Sequence, residues 1–349
     1  MPTKLQDLFD QVMPGPRIEL TGYAAGYAKM SRLVVQNNSF PIHLEFVGRG
    51  ETNACSRVET DAGLIAVNVG TFWVIHDTFR RMLAHHGVLK AIGDPTKETE
   101  FPTELPPRNA VDIAQRDISQ WFVPVNDPVR SDYAEELTAM ALEFVSVHEA
   151  AHILNGHCGF YQDHLNGATL DESVVATPSG ISQAFRHAIE IDADSCAVTE
   201  GMKRIRIDSL NPLFPTLEDT LFAWAFAIGV LFHIWSPYWP HVAMASPTHP
   251  PPSTRWLFAY VTGMSGVDEW LGAGTQATWL RASAAALREC LRAYSLISGN
   301  PEHSELFKDA LDNGRQRMHA FHDDWRDLHP LLLPHAKIPL VAPQPVRRN

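Results

Sequence analysis

The residues with the clearest chemistry are His148-Glu149-Ala150-Ala151-His152. Two histidines at i and i+4 stand one above the other on a helix face, so both rings can reach one Zn²⁺. Glu149 is rotated about 100° from His148, which places its carboxylate beside the metal rather than on it. From there it can take a proton from a water whose pKa the metal lowers to about 7. The hydroxide attacks a carbonyl, and Glu149 returns the proton to the leaving amine. Phe144, Val145 and Val147 before the motif, with Ile153 and Leu154 after it, predict a buried helix. Two histidines and a glutamate are costly in such a place unless something compensates them, and a metal ion is the simplest compensator.

Catalytic zinc needs a third protein ligand and an open position. Ten residues after His148 stands Cys158, and Asn155 occupies the position of the expected glycine, so the metzincin pattern is excluded. His157 follows His152 by five residues and falls off the face of a continuous helix. The better source is Glu190-Ile-Asp-Ala-Asp194 in the next strong helix. Glu190 and Asp194 share a face at i, i+4: Glu190 can ligate, while Asp194 can reach the second nitrogen of a ligand histidine. Asp192 lies on another face and reads as solvated. His187, three residues before Glu190, is the rival ligand.

At this point the chain resembles the gluzincins of the CAAX prenyl protease and HtpX class. The residues that carry the likeness are His148–His152 followed by His157, then Glu190-x-x-Ala193-Asp194, then Thr248-His249-Pro250-Pro251 with Arg255. Upstream, Asn53-Ala54 and the run Leu64–Val69 with Gly70 resemble the Asn-Ala strand pair of that class, whose edge strand pairs with the substrate backbone. The likeness spans about residues 40–260 and implies a zincin-like fold. It implies that His148, His152 and Glu190 bind zinc and that Glu149 is the general base. Asp194 would orient a ligand histidine, His249 would stabilise the oxyanion, and Arg255 would pair with a site carboxylate or brace its loop. Ser195 stands where that class places a basic residue. A soluble group with a similar HExxH arrangement, the phage-exclusion Lit-type peptidases, fits an acidic chain better than a prenyl protease does.

The elements that must position these residues are mostly helical. Ser131-Asp132 can cap a long helix that runs to about Gly156. A second helix follows Pro178-Ser-Gly180 to about Glu200, an apolar one covers 220–235, and three more cover 253–263, 266–298 and 301–327. Nearer the N-terminus, residues 41–47 alternate as a half-buried strand, Leu64–Val69 forms another, and 71–87 has helical spacing. Six prolines between 90 and 130 break any long element and mark a surface excursion or lid. The expected fold is α+β and mostly helical, with a small N-terminal sheet and a helix carrying HExxH. A catalytic domain over 1–265 would contain the 90–130 insertion. A helical extension over 266–333 would pack on it, and 334–349 would be a loose tail.

The chain has 28 basic and 40 acidic residues, a net charge of −12, which argues against nucleic acid as a partner. Its four cysteines are scattered without a C-x-x-C pair, and its first residues lack an apolar segment, so a cytoplasmic location is expected. Residues 220–254 hold no Asp, Glu, Lys or Arg. The helical part of that run, Leu221–Trp235, is roughly 22 Å long, short of the roughly 20 residues that span a bilayer. It therefore reads as a core helix, with membrane association through 220–240 as the alternative, because Trp235, Tyr238 and Trp239 suit an interface. The function expected is a zinc-dependent endopeptidase acting on a protein or peptide held by strand addition. The alternative is a catalytically silent sensor or partner-binding protein on the same fold.

Overall fold

The computed structural model describes residues 9, 15–22, 24–36, 40–98, 123–164, 170–171, 181–207, 211–235, 249–298 and 303–341. After helix α1 (Ala24–Val34) come strands β1 (Ile42–Val47), β2 (Ala54–Val58) and β3 (Gly63–Asn68) and helix α2 (Val69–Ala84). Then follow α3 (Pro128–Leu154), α4 (His157–His164), the two-residue strand β4 (Leu170–Asp171), and α5 (Gln183–Ile207). The chain continues with α6 (Leu217–Ile234), α7 (Pro252–Leu271), α8 (Gln276–Ser298) and α9 (His303–Leu332). The chain is thus mostly helical with a small sheet near its N-terminus.

The sheet has the order β1-β3-β2-β4. β3 is interior, parallel to β1 and antiparallel to β2, and all six of its residues are buried. Of the two strands singled out in the sequence, Leu64–Val69 therefore cannot offer a free edge. The edges of the sheet are β1 and the two-residue β4; β2 lies between β3 and β4, which pairs it at Cys55 and Ser56. β2 is a poor strand by pattern because Ser56 sits at a fully buried position.

Helix α3 starts earlier than its Ser-Asp pair suggests. Asp127 is the N-cap, its side chain accepting from the amides of Val129 and Arg130, and Pro128 fills the first turn. Pro at that position loses no hydrogen bond, which lets Asp127-Pro128 outcompete the later cap. Arg130, fully buried, donates to the carbonyls of Leu83, His85, Val88, Leu89 and Ile92. The end of α2 and the start of α3 are joined through one guanidinium. Further along α3, Glu135 accepts from Tyr27 Oη at 2.6 Å and Arg80 Nη1 at 3.0 Å, and lies 3.1 Å from His76 Nε2.

Of the 90–130 excursion, residues 99–122 lie outside the described part. Its two ends meet: the Glu98 carboxylate accepts from the amides of Asn126 and Asp127, and Lys97 donates to Asp127 at 2.8 Å. The segment leaves and rejoins the body at one place.

Two boundaries differ from the sequence reading for packing reasons. Gly263 and Gly266 do not end a helix; α7 runs unbroken through residue 265 to Leu271. A Cβ at Gly263 would stand 2.5 Å from the Trp279 ring, so this glycine serves helix contact rather than termination. A domain boundary at 265 would cut α7. The expected loose tail begins by docking: Lys337 N–H donates to the Leu154 carbonyl at the end of α3 at 2.8 Å. Among the described residues one helix, α6, is long and apolar enough to cross a membrane, and most of it is buried within the protein.

Candidate metal centre

Helices α3, α5 and α7 bring the motif residues together. His148, Glu149 and His152 lie on α3 and Glu190 and Asp194 on α5, all at most 3% exposed. His148 Nε2 and His152 Nε2 are 3.0 Å apart. Glu190 Oε2 lies 3.5 Å from His148 Nε2, and Glu190 Oε1 lies 3.7 Å from His152 Nε2. Three donors on one point are what a metal requires, and these three residues are grouped as such among the described residues. A tetrahedral zinc site with 2.0–2.1 Å Zn–N bonds has ligand–ligand edges of about 3.3 Å, so the observed spacings bracket the size needed.

The outer nitrogen of His148 supports the same fit. His148 Nδ1 lies 3.0 Å from Asp194 Oδ1. Asp194 accepts two hydrogen bonds from Arg255, Nε to Oδ2 at 2.8 Å and Nη2 to Oδ1 at 2.7 Å. A carboxylate is only an acceptor, so Nδ1 carries the proton of a neutral His148 and Nε2 presents a lone pair to His152 and Glu190. A cation between these lone pairs satisfies all three donors at once. Arg255 is itself placed by rings: its guanidinium carbon is 4.9 Å from the Phe232 centroid and 4.8 Å from that of Trp235. The charge-free end of α6 thus forms the wall behind this ion pair.

His249, preceding α7, comes within 3.4 Å of Glu190 Oε2 through Nε2, at the mouth of the cluster. Glu149 is 1% exposed. Burial pushes the Cys158 thiol up to about 12, and the charge of Glu149 adds to that rise. Cys158 Sγ in turn donates to Ser56 Oγ on β2. All four cysteines are free.

The electrostatics fit a ligand set. Burial alone would raise Glu190, but His249, His152 and His148 outweigh it and hold the carboxyl well below its ordinary range. Burial drives His152 well below its ordinary value, so it stays neutral with a lone pair available. Burial likewise lowers His249. His148 is the exception: burial opposes its charge, yet Asp194 and Glu190 raise it to about 9. Without metal, a proton on His148 supplies the positive charge the cluster calls for.

Two residues dismissed on the helical wheel belong to the centre. His157 Nδ1 is 3.0 Å from His152 Nδ1, and His157 Nε2 is 3.2 Å from Asp192 Oδ2. The wheel argument assumes that α3 continues past residue 154. It stops there, Gly156 takes φ +86, and the chain swings His157 back toward His152. The Asn155-Gly156 pair was the available signal, since asparagine and glycine end helices. Asp192 is not simply solvated: it also accepts from Asn155 Nδ2 at 2.7 Å. The rival ligand His187 is not grouped with the donors; it lines a cavity of about 460 Å³ with Ile191, Pro250, Thr254, Phe258 and Phe321.

No family model matches the chain, and neither a curated protein nor a solved structure matches it.

Proposed function

We propose that this protein is a zinc-dependent endopeptidase of gluzincin type, with His148, His152 and Glu190 as ligands. The observation that carries the reading is the convergence of two imidazole lone pairs and a buried carboxylate, with a second carboxylate, Glu149, one residue along the same helix. Bound zinc would supply Lewis-acid chemistry, polarising a carbonyl and lowering the pKa of water to about 7. Glu149 takes the proton from the attacking water and delivers it to the leaving nitrogen. His249, at the mouth of the cluster, is placed to hold the developing oxyanion. Asp194 fixes the His148 ring, and Arg255 holds Asp194. β2, the strand beside α3 and α4, is the one along which an extended peptide would pair, in place of β4. A peptide or protein is therefore the proposed substrate.

The test is Glu149→Gln in the full chain. It should keep one bound zinc and lower peptide hydrolysis by roughly 10²–10⁴-fold, the usual contribution of a general base. Full hydrolysis in that variant would overturn the mechanism. A wild-type chain that binds one zinc yet cleaves nothing in a proteome-wide screen of new N-termini would favour the sensor alternative.

A further inference from the structure

We propose that the C-terminal segment 333–337 is a working part of the metal centre. It seats the turn that ties the ligand-bearing helices α3 and α5 together, so losing the seat weakens metal binding, and bound metal holds the segment down. Its residues are positioning residues. This rests on the metal-centre reading above.

α3 ends at Leu154, so the Leu154 carbonyl has no partner within its own helix. The Lys337 amide donates to it at 2.8 Å. That approach needs room, and two glycines make it. A Cβ on Gly156 would stand 2.7 Å from the Ala336 nitrogen, 2.8 Å from the Leu332 oxygen and 2.9 Å from the His335 carbonyl carbon. A Cβ on Gly159 would stand 2.9 Å from His335 Cβ and 3.0 Å from its Nδ1. The backbone of the segment thus lies where any other residue at 156 would carry its side chain. The segment is itself fixed to the end of α9, where the His335 and Ala336 amides donate to the Leu332 carbonyl at 2.9 and 3.1 Å. α9 packs in turn on α5 and α7. The Lys337 ammonium lies 5.1 Å from the Phe40 ring centroid.

The turn held in this way reaches both sides of the donor set. Leu154 stands two residues after His152 on α3. Asn155 Nδ2 donates to Asp192 at 2.7 Å, and Asp192 stands two residues after Glu190 on α5. His157 Nδ1 lies 3.0 Å from His152 Nδ1. A shift of the turn therefore moves the two ligand-bearing helices relative to each other, and ligand distances must hold to about 0.2 Å for a metal to be bound well. The coupling is reciprocal: whatever factor the seat contributes to metal affinity, bound metal returns to the stability of the seat.

The experiment compares wild type, Lys337→Pro and Lys337→Ala as full chains, with zinc affinity read by chelator competition. Proline has no N–H and cannot donate to Leu154. Lys337→Pro should weaken zinc at least about fivefold, the lower end of coupling between linked sites. Lys337→Ala keeps the amide and should bind zinc as wild type does. A change that only lowers overall stability leaves nearly every chain folded and the affinity of the folded centre unchanged, so this loss separates the seat from a purely structural contact. In wild type, hydrogen exchange of the Lys337 amide should slow at least about fivefold on zinc saturation, relative to the Gly272 amide at the end of α7; this needs no variant to fold. Folded Lys337→Pro that binds zinc within about twofold of wild type overturns the seat. So does Lys337 exchange that zinc leaves unchanged relative to Gly272, and either result leaves the metal centre standing. A wild-type chain that binds no zinc overturns the metal centre, and the role of the seat with it.

Discussion

The Asp194–Arg255 pair offers a perturbation whose two consequences can be separated. Asp194 is fully buried and Arg255 is 3% exposed, joined by bonds of 2.8 and 2.7 Å. Asp194→Asn keeps the volume but removes the charge. The guanidinium is then buried without its counterion, a situation that costs about 3–5 kcal/mol. The faces of Phe232 and Trp235 remain against it, and such contacts are each worth about 0.5–2 kcal/mol, so the lower end of the range is expected. Separately, His148 Nδ1 loses its charged acceptor, and zinc affinity should fall about 10–100-fold, or about 1.4–2.7 kcal/mol. Denaturant unfolding of the metal-free chain reads the first effect and chelator competition the second. The double variant Asp194→Asn with Arg255→Met tells them apart. Removing the orphaned cation should restore much of the stability, while the zinc defect persists. The reasoning fails if the single variant unfolds within about 1 kcal/mol of wild type, or if the double variant recovers zinc affinity along with stability.

Three further outcomes are expected. Zinc affinity should rise with pH by about one decade per unit from neutrality until about pH 9, because His148, raised to about 9, holds a proton that zinc must displace; isothermal titration in buffers of different ionisation enthalpy would count that proton. Gly156→Ala should destabilise the chain by at least about 1–3 kcal/mol and weaken zinc, since φ is +86 and the new Cβ would stand 2.7 Å from the Ala336 amide; thermal melts with and without zinc would show both losses. Glu135 is held at about 2, because hydrogen bonds and charges from His76, Tyr27 and Arg80 outweigh burial. Its folded pKa is depressed, so its contribution is complete above about 4.5 and is lost as pH falls from there toward about 2. Glu135→Gln should therefore flatten the acid limb of an unfolding-versus-pH curve.

The parts of the centre that follow from strict helical spacing were legible in the sequence. His148 with His152, and Glu190 with Asp194, are each i, i+4 pairs within one helix, and each pair faces the other as spacing requires. What spacing could not supply was the relation between elements. His157 and Asp192 meet across two helices after a backbone reversal that a helical wheel cannot represent. The start of α3 was missed because Asp127-Pro128 competes with Ser131-Asp132 for the cap, and only the buried role of Arg130 settles the choice. The expected division between 263 and 266 missed the continuity of α7, in which Gly263 makes room for Trp279. β2 was obscured by polar side chains whose burial depends on partners in α4.

The anchoring of Arg130, Glu98 and Asp127 bears on how the motif helix is held. The body closes its own seam beneath the 90–130 excursion, with the ends tied to each other and to the end of α2. The placement of the first turn of α3 is therefore set by Glu98, Asp127 and Arg130, residues that stand on either side of 99–122. Such an anchorage works as a latch: the helix that carries His148 is seated at its first turn, roughly five turns ahead of the motif, by one cation and two carboxylates.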